Sequence, residues 1–277
     1  MIRVRRDDTG REGEWALRAA SGGGRLVLAH KSGWNHVFVR SLELDWWRPD
    51  AEDVGCGLLA AARADVPEGL TGLSYFLDEP DPRHDEPARR RVLLERAGFR
   101  VVRDGRRWRW AGGPAPARSR RLAFRSLADV GDEAFVDAIA RVSEDTLDAR
   151  LRANRERLGR DGDASAHFGL LRRLRHRSEW FLLGYDETEL VGLFAGAGDA
   201  DAVFVAYVGV VPERRGRGFV DDLLRTGTAV LLEAGEERIE ADTDKANVPM
   251  QRAFERSGYV SDTTRLELVA DREPRSH

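Results

Sequence analysis

The chain has 277 residues, 42% of them hydrophobic and 34% charged, with a formal net charge of −3. This composition is typical of a globular protein of one large or two ordinary domains, and no apolar run approaches the roughly 20 residues that span a bilayer. The small negative charge argues against nucleic acid or an anionic membrane as a partner. A single cysteine excludes an internal disulfide and a cysteine-based metal site, and no metal is expected. Because the first residues also lack the apolar core of a signal peptide, we expect a cytoplasmic protein.

The first part of the sequence predicts a small unit that mixes strands and helices. Short alternating or apolar segments, separated by glycine-rich turns, predict strands up to Trp47. The pattern that follows predicts a helix at Gly57–Ala64, a strand at Leu73–Leu77, a helix at Pro87–Ala97 and a final strand or hairpin at Phe99–Trp110.

Residues 113–117, Gly-Pro-Ala-Pro-Ala, have the composition of a linker and predict a boundary between two domains, 1–112 and 118–277. Helical spacing predicts helices at Asp132–Val142, Glu144–Leu158 and Ala166–Leu174, with a break at Gly159–Ala164 between the last two. An antiparallel hairpin is predicted between residues 180 and 195.

The most informative stretch joins a strand, a turn and a helix. Val203–Val211 is a β-branched and aromatic run that Pro212 ends, and Phe219–Leu232 has helical spacing. Residues 213–218, here called the Arg/Gly turn, stand between them. The unpaired N–H groups at a helix N-terminus, together with glycine and arginine, favour binding of a phosphate. A tight connection with solvated arginines is the alternative.

A second strand and helix follow, and they reveal an internal repeat. Ile239–Thr243 predicts the strand, and Asn247 opens the helix. That helix ends in Phe-Glu-Arg-Ser-Gly-Tyr, which matches Leu-Glu-Arg-Ala-Gly-Phe 160 positions earlier (Gly258 against Gly98). The first half is therefore interpreted as a shortened copy of the second.

The region from Arg118 to the C-terminus resembles the GNAT N-acetyltransferase superfamily. Its acetyl-CoA signature, Arg-x-x-Gly-x-Gly/Ala after a strand ending in Val-x-Pro, reads here Arg215-Gly216-Arg217-Gly218-Phe219-Val220, so the last position departs from the pattern. The resemblance implies an α/β (α+β) fold class with two tandem GNAT folds. Each is expected to be a mixed, mostly antiparallel sheet flanked by helices, the N-terminal one being shortened.

The resemblance also implies acetyl-CoA as the acetyl donor and a primary amine as the acceptor. In the family the central strand splays from its neighbour, the pantetheine pairs with the exposed strand edge, and a backbone N–H near Val210 polarises the thioester carbonyl. The residues expected to bind acetyl-CoA are Val208, Val210, Val211, Arg215, Gly216, Arg217, Gly218, Phe219, Val220, Asn247 and Phe254. Asn247 has the alternative role of capping its helix.

The N-terminal copy is not expected to bind CoA. Asp50, Glu52 and Asp53 stand where a pyrophosphate would lie, and they would repel it. Its expected role is structural, by support or dimerisation; alternatively, its tryptophans wall a substrate groove.

Two carboxylates are the leading candidates for the general base. Period-two alternation puts Glu240 and Asp242 on one side of a strand, where either could take a proton from the acceptor and attract a cationic amine. His167 and His176 are weaker candidates, because a lone histidine on a helix is more often incidental.

The general acid departs from the family pattern. Many members have a tyrosine four residues before the conserved glycine, and this chain has Phe254 there. Tyr207 is the preferred candidate for the general acid; Tyr259, water and unassisted departure of the thiolate are alternatives.

The resulting hypothesis is a bacterial N-acetyltransferase, monomeric or homodimeric. Its acceptor is a small metabolite, an antibiotic or a peptide N-terminus, and its context is natural-product biosynthesis or self-resistance. The rival hypothesis is a non-catalytic acyl-CoA sensor or scaffold. A nucleic-acid-binding role for the arginine-rich helices is disfavoured by the net charge.

Overall fold

The computed structural model describes residues 2–30, 35–80, 86–199 and 202–272. The chain forms two compact units, Met1–Asp104 together with Thr264–His277, and Gly105–Thr263. It passes from the first unit to the second within one strand and returns within its last strand. The predicted linker at 113–117 lies inside the second unit.

The first unit contains β1 (Val4–Asp8), β2 (Glu14–Ala19), β3 (Gly24–Ala29), β4 (His36–Leu44), α1 (Ala51–Ala64), β5 (Gly72–Glu79) and α2 (Pro87–Arg96), and β6 (Arg100–Trp110) begins in it. The sheet order is β1-β2-β3-β4-β5, followed by the C-terminal part of the chain's last strand, β12 (Tyr259–Asp271). All these neighbours are antiparallel except β4 and β5. The unit has its own apolar core, in which α1 contributes Val54, Leu58 and Leu59.

The second unit contains the end of β6, β7 (Ala123–Ser126), α3 (Leu127–Val142), α4 (Ala149–Arg173), β8 (Phe181–Asp186), β9 (Glu189–Gly198), β10 (Val203–Val210), α5 (Phe219–Glu233), β11 (Ile239–Asp244), α6 (Val248–Arg256) and the start of β12. Its sheet runs β6-β11-β10-β9-β8-β7. Here β10 and β11 form the parallel pair, and the others are antiparallel.

Helices cover the sheet of the second unit on both faces. On one side α3 and α4 pack through Phe135 and Phe168 onto Phe181 of β8. On the other side α5 packs against β9, where a Cβ at Gly227 would lie 2.4 Å from the Phe194 ring. The predicted mixed, mostly antiparallel sheets flanked by helices are confirmed.

The internal repeat is visible in the topology. Each unit has a strand, a helix, a parallel strand and a second helix in the same order, β4-α1-β5-α2 in the first and β10-α5-β11-α6 in the second. Both second helices end at a glycine with positive φ, Gly98 at 84° and Gly258 at 86°. Such a glycine closes the helix at low conformational cost.

Two helices differ from the sequence prediction. α1 begins at Ala51 rather than Gly57, so the acidic residues before Gly55 lie in its first turn. α4 continues through the predicted break, with a kink at Gly159, where φ is 72°. Glycine adopts a positive φ at little energetic cost, and the helix resumes after Gly159 because the following residues have helical spacing.

Within the described ranges, no helix is both long enough and apolar enough to cross a membrane.

Candidate active site

The site begins where β10 and β11 separate. The parallel pairing consists of Val203 with Ile239 and Phe204 with Glu240, and in the described residues it extends no further. β10 stays paired with β9 as far as Val210, with an irregularity between Val205 and Tyr207. The edge of β10 that faces β11 is therefore available from about Tyr207 onward.

Backbone direction shows which groups lie on this edge. The N–H of Val211 donates to Val191 of the β9 side at 2.9 Å. N–H groups alternate in direction along a strand, so those of Val208 and Val210 point toward the separated side. Both residues were predicted to contact the pantetheine, and their edge is suited to that pairing. Val211 itself is fully buried.

The Arg/Gly turn stands directly beyond this edge. Gly216 and Gly218 have φ of 76° and 77°, and a Cβ at either position would meet no atom within 4 Å. Gly218 is the N-cap of α5. The backbone N–H of Asp221, in the first turn of that helix, donates to the carbonyl oxygen of Gly218 at 3.0 Å. The turn is thus an exposed cradle of backbone donors at a positive helix end, which fits a pyrophosphate.

The side chains of the turn have different surroundings. Arg217 is exposed, Phe219 is buried, and Val220 is half-buried against a small apolar cluster. The unusual Val220 therefore points its side chain into protein, and the backbone donors of the turn do not depend on it.

Arg215 holds the end of a helix. Its guanidinium donates to the carbonyl oxygens of Val210 at 3.0 Å, Val142 at 3.1 Å and Asp145 at 3.1 Å, and also to that of Glu144. Carbonyls at a helix C-terminus lack intrahelical donors, so this contact fixes the end of α3 to the end of β10. The guanidinium that was predicted to contact a phosphate is thus bonded to backbone carbonyl oxygens.

Sequence reasoning missed Arg121 beside the turn. Its guanidinium donates to buried Asp222 at 2.8 Å and lies 4.6 Å from the Phe219 ring centroid. It also reaches Arg217 O at 3.4 Å. Arg121 precedes β7 and lies 96 residues before Arg217, so no local pattern in the sequence connects it with the turn.

The strand β11 places its carboxylates on the side that faces α4. Thr243 points the other way, because its hydroxyl accepts a hydrogen bond from Trp108 at 3.0 Å. Asp244 accepts the Ala149 N–H at the start of α4. By alternation, Glu240 and Asp242 share that face with Asp244.

The two predicted bases have different surroundings. Glu240 is 5% exposed, and its carboxylate lies between Arg107 and Arg238, the latter at 2.8 Å. The oxygens of Glu240 are therefore engaged by two guanidinium groups. Asp242 is half-buried and lies opposite Arg107 in the strand register.

Tyr207 lies under α4 at the start of the free edge. It is 7% exposed, and its ring is 4.6 Å from that of His167, in an edge-to-face arrangement. Burial raises the pKa of its phenol, and the nearby Asp163 and Asp148 carboxylates raise it further. Tyr207 is therefore a protonated phenol at neutral pH.

His167 and Asp163 join Tyr207 in a cluster that the sequence did not predict. Burial, with a smaller contribution from Arg150, lowers the pKa of His167 to about 4. Burial also raises the pKa of Asp163. Their i, i+4 spacing on α4 was the available signal, because it puts both on one helix face.

The remaining predicted residues lie away from this cluster. Phe254 is 1% exposed and stacks on Trp108 at 5.5 Å. Tyr259 is buried, and its hydroxyl shares a hydrogen bond of 2.7 Å with Thr228. Asn247 caps α6 by accepting the Met250 N–H at 3.3 Å. The capping alternative for Asn247 is thus observed.

In the first unit, the strand edge equivalent to the free edge of β10 is occupied by a side chain of the same unit. The described β4–β5 pairing ends at Val39 with Tyr75, as the β10–β11 pairing ends early in the second unit. Beyond it, the carbonyl of Leu42 accepts a hydrogen bond from Arg90, which is 1% exposed and lies 3.4 Å from the Tyr75 hydroxyl. The position matching Arg90 in the second unit is Met250 (250 minus 160).

We expect Arg90→Ala to destabilise the first unit by about 3 kcal/mol, because it leaves a cavity and unpaired polar groups. Arg90→Met should cost less, since an apolar side chain of similar volume replaces the buried charge. Thermal unfolding of the full chain measures both. Arg89→Ala is the matched control, because Arg89 packs on the same Trp46 ring but is half-exposed. Equal losses for Arg89→Ala and Arg90→Ala would contradict this role.

We expect His167 to make folding sensitive to acid. Its pKa is lowered from 6.5 to about 4 in the folded state, so the unfolded state binds the proton first. Stability from this group is fully present above pH 6.5 and is lost as the pH falls toward 4. When the melting temperatures of wild type and His167→Gln are plotted against pH across this window, the two curves should have different slopes. Parallel curves would contradict the expectation.

Comparisons with known proteins agree with this geometry. Residues 144–259 match the model of the Acetyltransferase (GNAT) family. The fold is similar to that of a GCN5-related N-acetyltransferase from Sphaerobacter thermophilus, with a TM-score of 0.61 and 17% identity over 95% of this chain and 82% of that one. It is also similar to a GCN5-related N-acetyltransferase from Kribbella flavida, with a TM-score of 0.58 and 18% identity over 90% and 87%.

A third similar structure is a tandem GNAT protein from the clavulanic acid biosynthesis pathway, with a TM-score of 0.62 and 17% identity over 99% of this chain and 85% of that one. The predicted tandem arrangement is therefore confirmed at the level of the fold. Residues 144–259 thus match the GNAT acetyltransferase family model, and the chain as a whole has a fold similar to that of a tandem GNAT protein.

Proposed function

We propose that the protein is an acetyl-CoA-dependent N-acetyltransferase whose acceptor is a primary amine. The separation of β10 from β11, next to the open Arg/Gly turn, is the observation that carries this proposal. The turn would bind the pyrophosphate, and the edge at Val208 and Val210 would bind the pantetheine. When bound, acetyl-CoA supplies the acetyl group as a thioester.

In this mechanism the Val210 N–H stabilises negative charge on the carbonyl oxygen. Asp242 takes a proton from the acceptor's ammonium, and the free amine forms the new C–N bond as the C–S bond breaks. The Tyr207 hydroxyl gives its proton to the departing thiolate. Glu240 supports the site by holding Arg107 and Arg238.

The first unit is proposed not to bind CoA. Arg90 fills the edge that the pantetheine would need, and acidic residues occupy the N-terminal turn of α1. Glu52 and Asp53 pair there with Arg96, at 2.6 and 3.7 Å. The stoichiometry of binding should therefore be one CoA per chain.

The acceptor context is proposed by analogy. A similar tandem structure comes from clavulanic acid biosynthesis, which favours an acceptor from natural-product chemistry. The second candidate function is a non-catalytic acyl-CoA sensor. It is favoured by two observations: Phe254 in α6 has no hydroxyl to protonate a thiolate, and the hydroxyl of Tyr259 in β12 is hydrogen-bonded to Thr228.

Isothermal titration of acetyl-CoA into the full chain, followed by thiol release against pooled amines and short peptides, tests both functions. A dissociation constant of about micromolar with amine-dependent thiol release supports the transferase. Binding without thiol release from any pool supports the sensor. Absence of binding contradicts both.

A further inference from the structure

Asp163 is a buried carboxylate without a described hydrogen-bond partner. It is 1% exposed, and neither oxygen accepts a hydrogen bond from any residue in the described ranges. Removing a carboxylate from water without replacing its hydrogen bonds is costly. The compensation must come either from a proton or from a cation that binds there.

The nearby arginines use their donors elsewhere. Arg155 donates to Ala140 O at 3.0 Å and to the Ser143 hydroxyl at 2.7 Å. Arg157 reaches the Asn154 side chain at 3.4 Å. Both lower the pKa of Asp163, but burial outweighs them and raises it. Their charge favours the ionised form without satisfying its oxygens.

The position of Asp163 points to the acceptor rather than to the acetyl donor. Asp163 lies one helical turn before His167 on α4, and the His167 ring is 4.6 Å from the Tyr207 ring. The Asp163 carboxylate also raises the pKa of the Tyr207 phenol. Tyr207 precedes the free edge of β10, on the face covered by α4. The Arg/Gly turn lies beyond the other end of that edge. The phosphates of a bound acetyl-CoA and the Asp163 carboxylate would therefore lie near opposite ends of the free edge.

We propose that Asp163 is a specificity-determining residue that binds the acceptor as an ammonium ion, and so selects alkylamines over amines that are neutral in solution. This rests on the proposed function for its chemistry. An ammonium carries three N–H donors and a positive charge, which match two unsatisfied carboxylate oxygens. The adjacent Tyr207 and His167 rings give the organic part of the acceptor an aromatic surface.

The kinetic test compares benzylamine, which is cationic at pH 7, with aniline, which is neutral. Asp163→Asn should lower kcat/KM for benzylamine by about 10- to 100-fold, mostly through KM, and leave aniline within about twofold. Asp161→Asn is the matched control, because Asp161 is on the same helix with its side chain 84% exposed. Equal losses for both amines, or none, would overturn the proposal.

A binding test separates this inference from the proposed function. Benzylammonium chloride is titrated into wild type, Asp163→Asn and Asp161→Asn, with benzyl alcohol as the neutral probe. Binding that Asp163→Asn alone weakens at least about tenfold supports the site even if no acetyl transfer occurs. Equal affinity in wild type and Asp163→Asn, or no binding by wild type, overturns it even if acetyl transfer is observed with other amines.

Discussion

Gly218→Asp is expected to weaken acetyl-CoA binding by at least about 100-fold, or ~2.7 kcal/mol. Gly218 has φ of 77° and is the N-cap of α5, in open space. A side chain there projects into the place where a pyrophosphate would meet the helix N-terminus. Its carboxylate would also repel the phosphates, an interaction of about 4 kcal/mol at 4 Å in an effective dielectric of 20.

Gly235 provides the control for this substitution. It follows the other end of α5 with φ of 87°, and a Cβ there would also meet nothing within 4 Å. Gly235→Asp therefore introduces the same charge and a similar left-handed strain of ~1–2 kcal/mol. It should lower stability at least as much as Gly218→Asp, because a carboxylate is unfavourable at the negative end of a helix, while leaving the affinity unchanged. Isothermal titration with both variants, after a check of their melting temperatures, decides the matter; wild-type affinity in Gly218→Asp would refute the turn as the pyrophosphate site.

Asp242→Asn and Glu240→Gln should have opposite consequences, although the residues share one face of β11. Asp242→Asn should lower kcat by about 10²- to 10⁴-fold, because it removes the proposed base. Glu240→Gln should instead cost about 3 kcal/mol of stability, since it removes the buried carboxylate that Arg107 and Arg238 share. Its folded fraction should keep most of the wild-type kcat.

Steady-state kinetics and thermal unfolding of the same two preparations separate these roles. Each variant serves as the control for the other, because both remove one negative charge from the same strand. A collapse of kcat in Glu240→Gln at unchanged stability would assign the base to Glu240. Full activity in Asp242→Asn would remove Asp242 from the mechanism.

Local signals in the sequence identified the turn at the candidate site. The run of β-branched residues up to Val211, the proline after it and the Arg/Gly pattern all act within a few residues, so they predict a strand, a turn and a helix without knowledge of the rest. The repeated Glu-Arg-x-Gly segment likewise predicted the shared topology of the two units. Such features depend on backbone conformation, which neighbouring residues largely determine.

Partners that are distant along the chain were not predictable in this way. Period-two alternation ranks Glu240 and Asp242 equally. Only the tertiary structure shows that the side chain of Arg107, which is opposite Asp242 in the register and 133 residues before Glu240, reaches diagonally to Glu240. Arg215 is in a phosphate-binding pattern, yet its side chain bonds to carbonyls about 70 residues away. The cluster of Asp163, His167 and Tyr207 forms because α4 packs over β10.

The sequence by itself determined the order of elements and the backbone donors of the Arg/Gly turn, because these follow from local propensity and from the absence of a Cβ at two glycines. The tertiary structure decided which ionisable groups are paired, which are buried and which face the free strand edge. Charge pairing and desolvation depend on neighbours in space. That is why the turn could be predicted as a binding site, while Asp163 is found only where the helix meets the sheet.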